Sequence, residues 1–478
     1  KRAIIGLKRA GISRPFFLKC KKKKVNTLTK DLVRVVELAK LGAYEEALTI
    51  CRKIKKNHSN NAAYYNITGI LARRLGHLDE AFLNSKRAIQ IDKRLVAAKM
   101  NIANIELQTG NVHKAITLFE EIITENPSYR EARANLAVAY KNFGKLKKSL
   151  HIYKNLEFRG PWSYKAKFNY GITLITNRNF ENGWSYYEYR WKTSPHNKVV
   201  WPYPGKPLWR GERGKHVALW REQGIGDEVI FLSLVPEAKD MCSSLSVYVD
   251  PRLQDLCKRA MPEIDFVKDL EDIECEYHLP LGSIPGLIRN DISDFDRTVK
   301  GYLKADPQRV ESIRNELKLE GKTAIGISWK SFNSSNPLKK SVQLKDMERM
   351  FTGLDVVLVN LQYGDIEDEI REFKEATGIE VVQCASVDNR EDLDGLAALI
   401  EACDLVISIT NVTVHLAGAL AKETWVLLPY VPNFWWGSDS PDSIWYPNST
   451  LYRQPILNDW DSVYVSIRKD LDKRLRCN

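Results

Sequence analysis

The stretch Glu-Gln-Gly-Ile-Gly-Asp at 222–227 sets two glycines ahead of a carboxylate. Gly224 and Gly226 permit a tight turn and close backbone approach. Asp227 then falls at the expected start of a helix. There a carboxylate caps free N–H groups or, if it faces a cleft, serves as a general base. The stretch is not the dinucleotide fingerprint, which needs a third glycine and a downstream acid for the ribose. Lys330 ends the apolar run Ile-Ser-Trp-Lys, and Lys339 and Lys340 precede a helix whose expected cap is Ser341. Lysines opening onto a cleft can neutralise a diphosphate, although solvated loop lysines have the same pattern. Gln362 and Gly364 lie just past the apolar run at 357–360, a position suited to contacts with a base or ribose.

The second chemistry-bearing stretch is Thr-Asn-Val-Thr-Val-His-Leu-Ala-Gly-Ala-Leu at 410–420. The apolar run 405–409 before it reads as a buried strand. Thr413 is expected to cap a short helix from Val414. The small residues Ala417, Gly418, Ala419 and Ala421 keep that helix thin, so it can lie close on a sheet. Its first amides, around Thr413, His415, Leu416 and Gly418, would then face a cleft, where an anion is favoured. His415 is expected to be neutral there, its pKa lowered by the helix dipole. Asn411 offers both a donor and an acceptor.

Metal chemistry has little support. Asp-x-Asp pairs occur at 294/296, 392/394 and 470/472, but none is expected at a strand end. The eight cysteines show no Cys-x-x-Cys spacing, which favours free thiols in a reducing cytoplasm. No metal and no cofactor is expected.

The elements that must position these residues fall into two kinds. Gly42, Gly76, Gly110 and Gly144 recur every 34 residues. Five residues after each comes Ala47, Ala81, Ala115 or Ser149, and seven before comes Val35, Gly69, Ala103 or Ala137. Small residues at a helix crossing and a glycine at the turn define a helical hairpin repeat, the tetratricopeptide pattern. Such hairpins stack into a superhelix with a concave face. A fifth hairpin keeps the phase, with Gly171 lying 34 residues after Ala137, but carries Arg178 at the turn. The aromatic run 183–191 reads as a joint to the next domain. From about 215 short apolar strands alternate with helices, and the pattern restarts after 301–308, which implies two successive doubly wound domains. The expected divisions are a basic arm at 1–30, the array at 31–195, α/β domains at 196–308 and 309–460, and a C-terminal helix at 461–478.

Net charge is +12, but residues 1–30 hold eleven Lys and Arg and no acid. The body is thus near neutral, which argues against nucleic acid as partner. The arm is a solvated tail or a contact for a membrane surface or an acidic partner. No run of about 18 apolar residues occurs, and no apolar secretory signal follows the basic start. The chain opens on Lys rather than Met, so a trimmed form is expected.

Taken in order, the array, "GWSYYEYRW", "PLWRGE", "EQGIGDEVIF", "YHLPLGSIP", "YLKAD", "LVISITNVTVHLAGALAKETWVLLP" and "DSIWYPNSTLYRQ" resemble the bacterial tetratricopeptide-repeat glycosyltransferases. Their catalytic part is similar to glycosyltransferase family nine, the heptosyltransferases. The resemblance spans roughly 31–465. It implies a GT-B fold of two Rossmann-like domains and metal-independent, inverting transfer from a nucleotide-sugar donor. It carries the acceptor-deprotonating aspartate onto Asp227 and the diphosphate-binding basic positions onto Lys330 and Lys340. Heptosyltransferases have Asp-Thr ahead of the His; this chain has Thr410-Asn411. The acceptor, a protein, peptide or glycan precursor, would lie on the concave face of the array. Two other readings remain: a partner-binding scaffold with a degenerate transferase domain, kept open by Thr410-Asn411, and a nucleotide-binding enzyme of similar shape such as an epimerase.

Overall fold

The computed structural model describes residues 30–157, 162–193, 202–203, 205–271, 273–297, 301–332, 340–438 and 440–476. Residues 1–29 of the basic arm and Lys339 therefore lie outside the described residues. The chain divides into two compact units, one of residues 1–174 with 185–200, the other of 175–184 with 201–478.

The first unit is a run of helical hairpins. They are α1 (Lys30–Leu41) with α2 (Tyr44–Ile54), α3 (Ala62–Arg74) with α4 (Leu78–Ile91), α5 (Val96–Gln108) with α6 (Val112–Glu125), and α7 (Arg130–Asn142) with α8 (Leu146–Glu157). The fifth pair, α9 (Tyr164–Thr176) and α10 (Phe180–Tyr187), gives residues 175–184 to the second unit. The repeating glycines sit at the turns with φ of 81°, 83°, 90° and 75°, the left-handed region a side chain disfavours. At the fifth turn Arg178 adopts that conformation with φ 59°. Ala47, Ala81, Ala115, Ser149, Ala103 and Ala137 are fully buried at the crossings. Tyr153, Trp162, Tyr170 and Tyr186 pack ring against ring at the end of this unit, Trp162 stacking on Tyr153 and Tyr186.

The second unit holds two wholly parallel sheets. The first comprises β1 (His216–Trp220), β2 (Ser244–Tyr248), β3 (Asp265–Val267) and β4 (Tyr277–Pro280), in the order β3-β2-β1-β4. The second comprises β5 (Ala324–Ser328), β6 (Val357–Asn360), β7 (Val381–Val382), β8 (Leu405–Ile409), β9 (Thr424–Leu428) and β10 (Ser449–Arg453), in the order β10-β9-β8-β5-β6-β7. Both sheets begin at an inner strand, run outward one way and return to its other side. The reversal points lie between β1 and β4 and between β5 and β8, where α/β sheets open a crevice at their carboxyl ends. Strands β5, β8 and β9 are buried along their whole length, as sheets covered on both faces require. Strand β10 is not evident in the sequence because Ser449 and Thr450 break its apolar pattern and Thr450 is exposed.

The helices of this unit are α11 (Ile225–Leu232), α12 (Val235–Lys239), α13 (Gln254–Ala260), α14 (Pro285–Ile288), α15 (Pro307–Glu316), α16 (Leu344–Phe351), α17 (Glu367–Thr377), α18 (Leu393–Ala402), α19 (Val412–Ala419) and α20 (Trp460–Arg476). Trp184 belongs here: its indole N–H donates to the Arg289 carbonyl at 2.7 Å. Among the described residues no helix is long and apolar enough to cross a membrane.

Three expectations about caps need correcting. Helix α19 begins at Val412, not Val414, and its cap is Asn411, whose side chain accepts from the Thr413 amide at 3.1 Å. Thr413 is helical and points inward instead, its hydroxyl donating to the Leu361 carbonyl. Ser341 does not cap α16, which starts after Gln343; the Ser341 hydroxyl accepts from the Ser331 amide. Finally, Gly226 and Asp227 are already inside α11, whose cap is Gly224, so the Asp227 carboxylate caps nothing.

Candidate functional site

Asn411 stands where β8 ends, on the reversal point of the six-stranded sheet. Its amide nitrogen donates to Ser328 Oγ at 2.6 Å and to the Lys330 carbonyl at 3.3 Å. Ser328 in turn donates to Gln362 Oε1, which also accepts from the Trp329 and Lys330 amides at 3.0 and 2.7 Å. Gln362 Nε2 donates to the Tyr363 carbonyl. Three strand ends are thereby tied together by one buried polar knot. Buried polar groups need partners to offset their desolvation, and Gln362, Asn411 and Thr413 find theirs within the protein. Gln362 is 1% exposed and Leu416 fully buried. Lys330 pairs with Glu369 and does not stand free.

A cavity of about 150 Å³ opens beside this knot, lined by Lys340, Thr410, His415, Pro429, Val431, Asn433 and Trp436. The Lys340 ammonium donates to the Thr410 carbonyl at 3.1 Å. Burial lowers its pKa, and the nearby Asp227 charge opposes that fall. His415 stacks on Trp436, with ring centroids 5.5 Å apart, and its Nδ1 lies 3.0 Å from the Tyr446 hydroxyl. Burial, and then the Lys340 charge, push the His415 pKa down to about 3. The imidazole is thus neutral, with burial the main cause and the neighbouring cation the next.

The carboxyl end of β1 meets the same place. Asp227, on the first turn of α11, accepts from the Trp435 indole N–H at 2.8 Å. Its pKa is raised, first by burial and further by Glu222, against the lowering effects of the Trp435 hydrogen bond and Lys340. It remains partly exposed. Two glycines allow this closeness. A Cβ on Gly226 would sit 2.9 Å from His415 Cδ2, and a Cβ on Gly418 would overlap the Tyr446 ring. A Cβ on Gly224 would meet only Asp227 Oδ2, at 3.7 Å.

So Asp227, Lys340 and His415 come together with Gly224, Gly226 and Gly418 around them. Gln362, Asn411, Thr413 and Leu416 form the frame behind, and Lys330 is held by Glu369. Gly364, with φ 96°, packs against Phe332 instead.

The residues that sequence reasoning missed are on the segment 431–446. Trp435 holds Asp227 and is itself packed against Phe231, Phe434 and Trp445. The indole N–H of the buried Trp436 has no acceptor among the described residues. The pair of adjacent tryptophans after Pro432 and Asn433 was the available signal, because exposed loops seldom carry two tryptophans without a pocket to fill. Among the described residues no group of three or more His, Cys, Asp or Glu is placed to hold a metal ion.

No family model matches the chain. It is 27% identical over 418 residues to Protein FlbA of Caulobacter vibrioides, covering 81% of this chain and 69% of that protein. The glycosyl transferase family 9 structure from Veillonella parvula aligns with 56% of this chain and 99% of its own, at 10% identity and a TM-score of 0.42. The tetratricopeptide-repeat protein TTC0263 of Thermus thermophilus aligns with 34% of this chain and 90% of its own, at 16% identity and a TM-score of 0.32.

Proposed function

We propose that the protein is a glycosyltransferase of GT-B type, moving a sugar from a nucleotide-sugar donor to an acceptor hydroxyl on a protein, peptide or glycan precursor presented by the helical array. The observation that carries the reading is that Lys340 and His415 line one cavity, while Asp227, held by the neighbouring Trp435, lies close enough to feel the Lys340 charge. A partly buried carboxylate with a raised pKa is suited to take a proton from a hydroxyl near neutral pH. The hydroxyl oxygen then forms its bond to the anomeric carbon as the bond to the nucleoside diphosphate breaks. In-line attack inverts that carbon. The departing diphosphate gathers negative charge, which Lys340 and the N-terminal end of α19 are suited to stabilise. Neutral His415 offers a hydrogen bond without competing for the proton. Trp435 fixes one oxygen of Asp227, leaving the other for the acceptor. The reaction as drawn needs no metal. The basic arm would bring a membrane surface or acidic partner near.

The test is thermal stabilisation by UDP-, GDP-, ADP- and CMP-sugars, followed by product formation with the stabilising donor. Asp227→Asn should keep the donor-induced stabilisation and lose about 10²–10⁴-fold in turnover. No stabilisation by any of the four would overturn the reading. It would favour the scaffold alternative, which draws its support from the internal satisfaction of Asn411, Thr413 and Gln362.

A further inference from the structure

The His415 ring has two nitrogens, and the protein partners only one of them. Nδ1 lies 3.0 Å from the Tyr446 hydroxyl. Nε2 has no hydrogen-bond partner among the described residues, although the side chain is buried and only 7% exposed. Nor is that nitrogen shut off from solvent. The ring is thus held by its inner edge and opens Nε2 to the cavity that it lines with Lys340, Thr410 and Asn433. Gly226 helps keep this edge clear, since a Cβ there would lie 3.5 Å from Nε2.

Which nitrogen carries the proton follows from the hydroxyls behind the ring. A phenol has one proton to donate. Burial raises the pKa of both Tyr302 and Tyr446, so each keeps it. Tyr302 donates to the Val229 carbonyl at 2.8 Å, and a carbonyl can only accept. That carbonyl sits in the last turn of α11, where the Ser233 amide bonds Ile230 instead. Tyr446 and Tyr302 bond each other side chain to side chain. With the Tyr302 proton already placed, Tyr446 is the donor of that bond. The Tyr446 oxygen is then left to accept from His415. So Nδ1 carries the imidazole proton and Nε2 a lone pair. The order is set from the far end, by a helix carbonyl that has no choice of role. Tyr302 comes from "YLKAD" and Tyr446 from "DSIWYPNSTLYRQ", and neither lines the cavity itself.

We propose that Tyr302 and Tyr446 are positioning residues that hold His415 as an acceptor, so that Nε2 takes a hydroxyl of the sugar. A lone pair repels phosphate oxygens, which have no proton to give, and suits a hydroxyl, which has one. Lys340 is the cation of the same cavity and the place for a phosphate. The sugar, not the diphosphate, is thereby put against His415 and the Trp436 ring stacked on it. An imidazole with its proton on Nε2 would make the opposite choice. The sugar assignment rests on the reading of the site as that of a nucleotide-sugar transferase. The tautomer does not, so the two can fail separately.

Long-range proton–nitrogen correlation NMR of the full chain, labelled at the histidine ring nitrogens, separates the two neutral tautomers. The chain has eight histidines, and the His415 signals are those absent from His415→Gln. The wild type should show a protonated Nδ1 and a bare Nε2. In Tyr302→Phe the Tyr446 hydroxyl loses its acceptor and can turn to Nδ1, so the proton should move to Nε2. Tyr446→Phe leaves Nδ1 without an acceptor and should have the same effect. A purely structural role for the tyrosines would lower stability and leave the tautomer unchanged. Calorimetric titration with UDP-, GDP-, ADP- and CMP-sugars, and with the same nucleotides lacking the sugar, gives the second readout. The advantage of the sugar-bearing form should fall about tenfold in Tyr302→Phe, while the bare nucleotide binds as before. A protonated Nε2 in the wild type would overturn the proposal whatever the variants do to folding, as would a protonated Nδ1 retained in both. An undiminished sugar advantage would overturn the sugar assignment. Binding of none of the sugars would remove that assignment together with the transferase reading, and the NMR result would still decide the tautomer.

Discussion

In the array, Arg74 and Lys165 reach a shared space and pair with no carboxylate among the described residues. At the carboxyl ends of β5, β6 and β8, Ser328, Gln362 and Asn411 use their polar atoms on one another. The first arrangement keeps its charges exposed to solvent, where side chains can be changed with small consequences for folding. The second is finished as it stands and holds strand ends in register. Asp227, Lys340 and His415 lie at its edge. An exposed face and a buried frame thus differ in where their hydrogen-bonding capacity is used.

The contrast is sharpest at Asn411. Asn411→Ala removes the cap of α19 and leaves Ser328 and the Lys330 carbonyl short of a donor in a buried place. A cap is worth about 1 kcal/mol and an orphaned buried polar group about 1–3 kcal/mol, so the loss should reach about 3 kcal/mol. Lys165→Ala in the array should change stability by less than about 0.5 kcal/mol. Urea unfolding of both variants reads the difference. Equal losses would remove the distinction between frame and surface.

Acid should act on the site before it acts on the array. His415 has its pKa lowered from the ordinary 6.5 to about 3 in the folded protein. The unfolded chain therefore takes up this proton first. Its contribution to stability is complete above pH 6.5 and declines as pH falls toward 3, by about 1.4 kcal/mol per pH unit. The raised pKa of Asp227 acts in the opposite sense, because the folded protein binds that proton more tightly. The informative quantity is thus the difference between the wild type and His415→Gln, followed from pH 7 to 4.5. The variant should lose less stability over that range. Parallel pH profiles would show that His415 is not held neutral by its burial.

Two helical glycines probe the same contrast on a smaller scale. Replacing either by Ala gains about 1 kcal/mol of helix propensity. At Gly226 the new methyl meets the His415 ring, which Trp436 and Tyr446 hold in place. At Gly69 it meets first the Ser85 hydroxyl, 2.7 Å away, which would have to turn out of its bonds with the Ala81 carbonyl and Asn101, themselves 3.1 Å from the new methyl. Gly226→Ala should lose about 1–2 kcal/mol net, and Gly69→Ala should stay near neutral. Thermal melts of the two variants decide it; the opposite ranking would mean that the ring at the site yields more readily than the crossing in the array.

How much of this could be read from the sequence differs between the two regions for the same reason. The array repeats, so the four turn glycines and the small residues in phase with them locate every hairpin without any long-range information. Runs such as 216–220 and 405–409 announce strands because both faces of a parallel sheet are covered. The strand at 449–453 did not, with its Ser-Thr start. The knot of Ser328, Gln362 and Asn411 joins residues more than 80 positions apart, and nothing local signals it. Asn411 rather than Thr413 caps α19 because its side chain also has to bridge back to β5. Trp435 is beyond local reading as well, since its partner Asp227 lies 208 positions away.

The array also contains its own internal comparison, between four turns with glycine and one with Arg178. All five backbones are left-handed, at φ 75° to 90° for the glycines and 59° for the arginine. That conformation costs a side chain about 1 kcal/mol. Gly144→Arg should therefore destabilise by about that amount. The reverse change at the fifth turn has less to gain. Arg178→Gly relieves the strain, but it also loosens the unfolded chain and gives up the contacts of the arginine side chain. A change within about 0.5 kcal/mol is expected, read as the shift in denaturation midpoint. A gain of a full 1 kcal/mol would mean that Arg178 is merely tolerated there. A clear loss would mean that its side chain secures the fifth hairpin, where residues 175–184 pass to the second unit, more firmly than a glycine turn could.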